Sequence, residues 1–267
     1  MRPASPLQRT VDWLERHPKV VGTLAVVIVI AIWTLVTRPS TRLRGTLPPP
    51  HALVLKLWTV MRDGYGGTPL WTHFQASLLR TMTGFVTGSL AGILIGLCMG
   101  YNRVVSSALS PFFSFVRPIP AIAYIPMVIL WFGIGEFSKV LLIFMASFLY
   151  VSLNTAAGVH AVPEDLLRVS RALGARGWQV FFFVILPEAL PYVMLGLKVG
   201  LALSWAIVVA SELVAAQSGL GYMIMDAGTF FRIDDVYVGV FLIGAVGLLL
   251  ERTLTMLERR YVHWSGK

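Results

Sequence analysis

The chain has 267 residues, 56% of them hydrophobic and 13% charged, with a mean hydropathy of +0.74 and a formal net charge of +9. Soluble domains carry roughly a quarter charged residues, so a large water-exposed globule is excluded and a polytopic membrane protein is expected. The single cysteine, Cys98, excludes an intrachain disulfide and any cysteine-based metal site, and the scattered histidines have no ligand spacing.

In chain order, residues 1–19 are polar and basic, with Arg2, Arg9, Arg16 and Lys19, and read as a cytoplasmic N-terminal segment. Val20 to Val36 is uncharged and just long enough to cross a bilayer. Thr37, Arg38, Pro39 and Ser40 follow without a small-residue cleavage site, so a retained span is expected rather than a secretory signal. Leu47-Pro48-Pro49-Pro50 is a stiff entry to an external amphipathic helix over Ala52 to Met61. That helix sets Leu53, Leu57, Val60 and Met61 against Lys56 and Arg62, and a glycine-rich turn ends it.

Thr81 to Tyr101 is the second span. Gly84, Gly88, Gly92, Gly96 and Gly100 recur every four residues, which lines them along one slowly winding helix face. Such a face lets another helix approach closely; the alternative is a lining for the pathway. A short inside loop, Tyr101 to Ser110, is expected next. Ser110 to Gly133 then carries Pro111, Pro118, Pro120 and Pro126 with Arg117 among them. Each proline removes a backbone hydrogen bond, so a broken helix is expected, its freed carbonyls facing protein or a cavity. Gly133 to Glu136 reads as an outside turn and Lys139 to His160 as the fourth span.

A polar stretch follows, with a coupling loop over about residues 161–187. The fifth span is expected from Pro187 and Pro191 to about Ala216, carrying Lys198 and Glu212. Gln217 to Tyr237 is expected as an external loop, Val238 to Leu250 as the sixth span, and Glu251 to Lys267 as a charged inside tail. Segments assigned inside hold twelve Lys and Arg against seven outside, with Arg80, Arg117 and Lys198 left out as lying in or at spans. This bias places both termini in the cytoplasm. The net charge fits that bias plus anionic lipid, or attraction of an anionic solute; no nucleic-acid partner is expected.

Catalytic devices are missing. The chain has no G-x-x-x-x-G-K-[ST] loop, no H-E-x-x-H and no G-x-S-x-G, so no phosphate-loop ATPase, zinc protease or serine hydrolase chemistry is expected of it.

Gly174 is followed after nine residues by Val184, Ile185, Leu186 and Pro187. This resembles the cytoplasmic signature of binding-protein-dependent ABC importer permeases. The family's Glu-Ala-Ala falls on Arg168, Val169 and Ser170, a departure. Leu47 to Pro50, Ser77 to Arg80, Arg117 to Pro120, Trp131 to Glu136, Ser211 to Leu213 and Trp264 look like the sulfonate, taurine and nitrate branch; thiamine-precursor importers look similar. The resemblance implies an all-α polytopic membrane protein, about six transmembrane helices in the type I importer permease fold, with permease domain 20–267. It implies a bacterial inner-membrane homodimer, two separate ATP-binding subunits holding ATP and magnesium, no cofactor on this chain, and an extracytoplasmic binding protein. It also implies that Glu164, Arg168, Arg171, Ala172, Leu173, Gly174, Ala175, Leu186 and Pro187 couple to the ATPase. Arg117, Pro118, Pro120, Lys198 and Glu212 are expected along the pathway, and Glu136, Asp226, Asp234 and Asp235 at the binding protein. For Arg117 three readings stand: a cap on the broken helix, a partner for Glu188 or Glu212, or a cation for a passing oxyanion. A secondary transporter is the competing class, and it has no use for an ATPase-docking helix.

Overall fold

The computed structural model describes residues 17–38, 46–262 and 264. The basic residues Arg2, Arg9, Arg16, Arg42, Arg44 and Lys267 used in the charge count lie outside them. Helix α1 (Pro18–Val36) is exposed along nearly its whole length and is tied to the rest by the Trp33 indole, which donates to the Pro48 carbonyl at 3.1 Å. Helix α2 (Pro50–Asp63) sends Leu53, Leu57 and Val60 into a small core with Tyr65, Met223 and Val238. Met61, expected on that same face, points outward.

The centre is a bundle of three long helices: α3 (Leu70–Tyr101), α6 (Glu136–His160) and α9 (Leu186–Ala215). α3 begins eleven residues before the expected Thr81. The reason is that His73, Ser77 and Arg80, polar enough to end a hydropathy run, are buried against partners inside the protein. The glycine stripe is a packing seam. A Cβ on Gly84, Gly88, Gly92, Gly96 or Gly100 would meet α6 atoms within 3 Å in every case. α6 runs parallel to α3 along this seam, from Val140 and Ile143 beside Gly84 to Val159 beside Gly100.

The expected loop from Tyr101 to Ser110 is instead helix. Asn102 caps α4 (Arg103–Val116), its side-chain oxygen accepting from the Val104 and Val105 amides at 2.8 and 3.4 Å, so one residue suffices for the turn. The proline-rich span is broken as expected. α4 ends at Val116, a 3-10 turn occupies Ala121–Tyr124, and α5 (Ile125–Phe132) follows at 86° to α4. Counting this bent pair as one span, the described residues hold up to six spans.

After α6 come α7 (Glu164–Ala172) and the short α8 (Gly177–Val180). A π turn, Phe181–Ile185, then leads into α9. The fifth span is therefore helical ten residues before Pro187. That proline has no N–H and its ring crowds the carbonyl four residues back; a widened π turn there relieves the crowding. The expected external loop contains α10 (Leu220–Thr229), which buries Leu220, Met223 and Ala227 at helical spacing. α11 (Ile233–Tyr261) continues into the expected charged tail as far as Tyr261.

Candidate translocation pathway and coupling site

At the end of the bundle after α6, α7 is two-faced. Leu167 and Ser170 turn inward beside Val162, Val180, Ile185 and Ala189. Leu166, Val169 and Leu173 form an outward apolar ridge, with Leu173 83% exposed. Ser170, standing at the last position of the family's Glu-Ala-Ala, is small and inward. Arg168 is exposed and pairs with Glu164 one turn earlier at 2.9 Å. α7 ends in a Schellman cap: Gly174 has φ +82°, its amide donates to the Arg171 carbonyl, and the Ala175 amide donates to the Ser170 carbonyl. Arg171, Ala172 and Gly174 are exposed around this cap, while Leu186 and Pro187 lie half-buried where α9 begins.

Midway along the bundle, the broken span opens a cleft of about 480 Å³. Arg117, Pro118 and Pro120 line it together with Tyr124, Leu149 and Tyr150 of the facing elements. The face of α9 that closes it carries Leu203, Ala206, Ile207 and Ala210. Lys198 and Glu212, expected with Arg117, are not there. At about 100° per residue, Lys198 lies about 140° round the helix from Leu203, and Glu212 about 200° from Ala210. Lys198 instead forms an ion pair with Glu258 of α11.

Glu212 anchors a buried cluster at the opposite end of the bundle from α7. Its carboxylate is fully buried and accepts from the Ser77 hydroxyl at 2.8 Å, from Arg80 Nη1 at 2.7 Å and from the Gly221 amide at 2.9 Å. Gly219 and Gly221 have no side chain because a Cβ on either would lie within 3 Å of Glu212. Arg80 also donates to the Ser218 carbonyl at 2.7 Å and makes a forked pair with Glu136, whose carboxylate receives Lys139 at 2.9 Å. Two cations and two anions thus neutralise one another where the ends of α3, α6 and α9 meet. Among the described residues Arg117 pairs with neither Glu212 nor Glu188; Arg80 of α3 takes that place at Glu212. A signal was present: His73, Ser77, Arg80 and Gly84 step by four, three and four residues along the face that becomes the glycine seam.

Of the acids expected at the binding protein, Glu136 is the Arg80 partner but leaves its side chain 63% exposed, and Asp234 is exposed. Asp235 is turned inward to Lys56 at 3.1 Å. Asp226 accepts from the Tyr65 hydroxyl at 2.7 Å and pairs with Arg232, whose guanidinium lies 4.7 Å over the Tyr65 ring. Burial and then the Asp226 hydrogen bond raise the Tyr65 phenol above its usual range, so this corner stays neutral at that oxygen.

The described residues thus form a helical bundle of up to six spans, with a cleft midway along it and, at one end, a capped helix that presents an apolar ridge. The profile of the family described as "Binding-protein-dependent transport system inner membrane component" matches residues 88–263, and the chain belongs to that family. It is 41% identical to the taurine transport system permease protein TauC of Escherichia coli strain K12, over 92% of this chain and 90% of that one. It is 34% identical to a putative aliphatic sulfonates transport permease protein, SsuC, of Bacillus subtilis strain 168 (94% and 90%). It is 31% identical to the nitrate import permease protein NrtB of a Synechocystis species (90% and 89%). Among solved structures, an amino acid ABC transporter crystallised with histidines aligns at TM-score 0.58 and 18% identity, covering 72% of this chain and 91% of that one. The inward-facing MetNI methionine ABC transporter aligns at 0.57 and 20% identity (78% and 98%). These two show the type I importer permease fold.

Proposed function

We propose that this chain is the permease subunit of an ATP-driven importer for taurine and related small sulfonates. The observation that carries this reading is the 41% identity to a taurine permease along nearly the whole chain, including the cleft and coupling elements. The working unit is a homodimer with two ATPase subunits that hold ATP and magnesium, fed by an extracytoplasmic binding protein. The chain itself carries no catalytic step. ATP closes the ATPase pair, α7 follows its seat, α6 and α9 move with it, and the pathway between the two copies opens outward; hydrolysis reverses this. The reading is tested by reconstituting the complex with its binding protein and measuring ATP-dependent uptake of labelled taurine, ethanesulfonate and nitrate. Uptake of the two sulfonates is expected; transport of nitrate alone would move the assignment to the nitrate branch.

The coupling assignment has its own check. Leu173 is exposed and adds nothing to the core, so Leu173→Asp is expected to leave the permease folded and inserted. In the complex it places a charge where an apolar side chain must be desolvated. The ATPase subunit is expected to be lost from the detergent-purified complex, with co-purified yield down at least tenfold. Undiminished co-purification would remove α7 as the docking element.

The same proposal sets the orientation: both termini and α7 inside, the Arg80 cluster outside. With Cys98 replaced by serine, a cysteine at Ile134, which is exposed at the turn before α6, is expected to react with an impermeant thiol reagent added outside cells. A cysteine at His160, at the other end of α6, is expected to stay unlabelled. The reverse pattern would invert the topology.

A further inference from the structure

The mid-depth cleft has an unusual charge inventory. Arg117 is its one charged lining residue, and no Asp or Glu lines it. Its depth is fixed by its neighbours: Leu149 and Tyr150 lie beside the midpoint of α6, and Leu203 and Ala206 lie within the middle of α9. A cation at mid-depth is costly unless it is paired or wet. Among the described residues the Arg117 side chain has no ion-pair or hydrogen-bond partner, and it is exposed to the cleft. The break explains the backbone but not the side chain: the Arg117 amide closes the last turn of α4 on the Phe113 carbonyl, while the guanidinium does no capping. Tyr124 and Tyr150, both half-buried, are the lining residues that carry hydroxyl groups.

Resting on the sulfonate-importer reading, we propose that Arg117, with the Tyr124 and Tyr150 hydroxyls, forms a transient oxyanion subsite that reads the sulfonate group and ignores the rest of the solute. A guanidinium fork can donate to two oxygens of the tetrahedral sulfonate, and the phenol donors can share the third. A taurine ammonium finds no carboxylate here, so the amino group brings no advantage. Selection between taurine and a simple alkanesulfonate therefore falls to the binding protein. The apolar remainder of the wall keeps the grip weak enough for release.

The test uses the reconstituted complex in proteoliposomes with Cys98 replaced by serine. Arg117→Lys keeps the charge and loses the fork; Arg117→Gln loses both. Maximal uptake of ethanesulfonate and of taurine is expected to fall by about tenfold or more in Gln and by less in Lys, with the concentration for half-maximal uptake unchanged because the binding protein sets it. Arg117→Cys gives a readout that a merely structural role would not move. Modification with a cationic aminoethyl thiosulfonate is expected to restore uptake, and a neutral ethyl analogue is not. Equal uptake by Gln and Lys, equal effects of the two reagents, or a loss for taurine that spares ethanesulfonate would each overturn the subsite. Failure of the parent reading looks different: the wild-type complex would then carry neither sulfonate.

Discussion

Arg80→Met is expected to be the most damaging single change at the Glu212 end of the bundle, and Glu212→Gln added to it is expected to recover most of the loss. Glu212 is fully buried and Arg80 only 7% exposed at the side chain, so neither meets water and each faces the other as its counter-ion. Removing the cation leaves a buried carboxylate with only the Ser77 hydroxyl and the Gly221 amide as donors. Breaking a buried pair from one side costs about 3–5 kcal/mol, whereas replacing both partners by neutral groups of similar size is often close to neutral. Arg80 serves four elements at once, so the single variant also frees the α9–α10 link at Ser218 and strips Glu136 of its forked partner. The pair of Glu136 and Lys139 remains neutral by itself and does not require Arg80 for charge balance. Thermal unfolding of the purified permease in detergent measures this. The single variant is expected to lose well over 10 °C in midpoint, and the double variant to return most of that. A double variant no better than the single one would show that the Ser218 and Glu136 contacts, not the buried charge, hold this end together.

The existence of the spans, the glycine face and the proline break were legible because each is a local pattern. Gly84 to Gly100 need only a period of four, and Pro118 and Pro120 need only their own missing donors. Arg80 was not legible in the same way. Its partners Glu136 and Glu212 are 56 and 132 residues away, and no spacing rule reaches that far. The hydropathy run also stopped at it, because a window scores a buried, fully paired arginine as if it were solvated. α10 is not legible for a related reason: Gly219, Gly221, Asp226 and Gly228 look like loop residues, and the buried face holds just three larger side chains, Leu220, Met223 and Ala227, beside Gly221. Gly219 and Gly221 are small because Glu212 occupies the space a side chain would take. Lys198 and Glu212 were assigned to the pathway from their place in an apolar span. What separates them from the cleft is their angle around α9, which only the position of its neighbours defines.

The seam itself gives a graded expectation. At Gly88 an added Cβ would lie 2.1 Å from the Ser147 hydroxyl oxygen and 2.6 Å from the Phe144 carbonyl oxygen. At Gly92 its closest approach is 2.9 Å, to the Phe148 carbonyl oxygen. At Gly22, on the exposed α1, it would meet nothing within 4 Å. Overpacking a close helix contact typically costs about 1–3 kcal/mol, and more when the obstacle is backbone that cannot rotate away. Gly88→Ala is therefore expected to destabilise more than Gly92→Ala, and Gly22→Ala to change nothing measurable. The single Ser147 hydroxyl proton is shared between the Ile143 carbonyl of its own helix at 3.1 Å and the Gly84 carbonyl across the seam at 3.3 Å, so its oxygen is held in place. Ser147→Ala would remove the shortest clash yet leave the Phe144 carbonyl, so the pair Gly88→Ala with Ser147→Ala is expected to recover only part of the loss. Gly88→Leu should prevent α3 and α6 from closing at all and leave little monodisperse protein after detergent extraction. Yield and unfolding midpoint across this series measure the gradient. If Gly88→Ala matched Gly22→Ala, the two helices would have room to part, and the stripe would be a lining and not a seam.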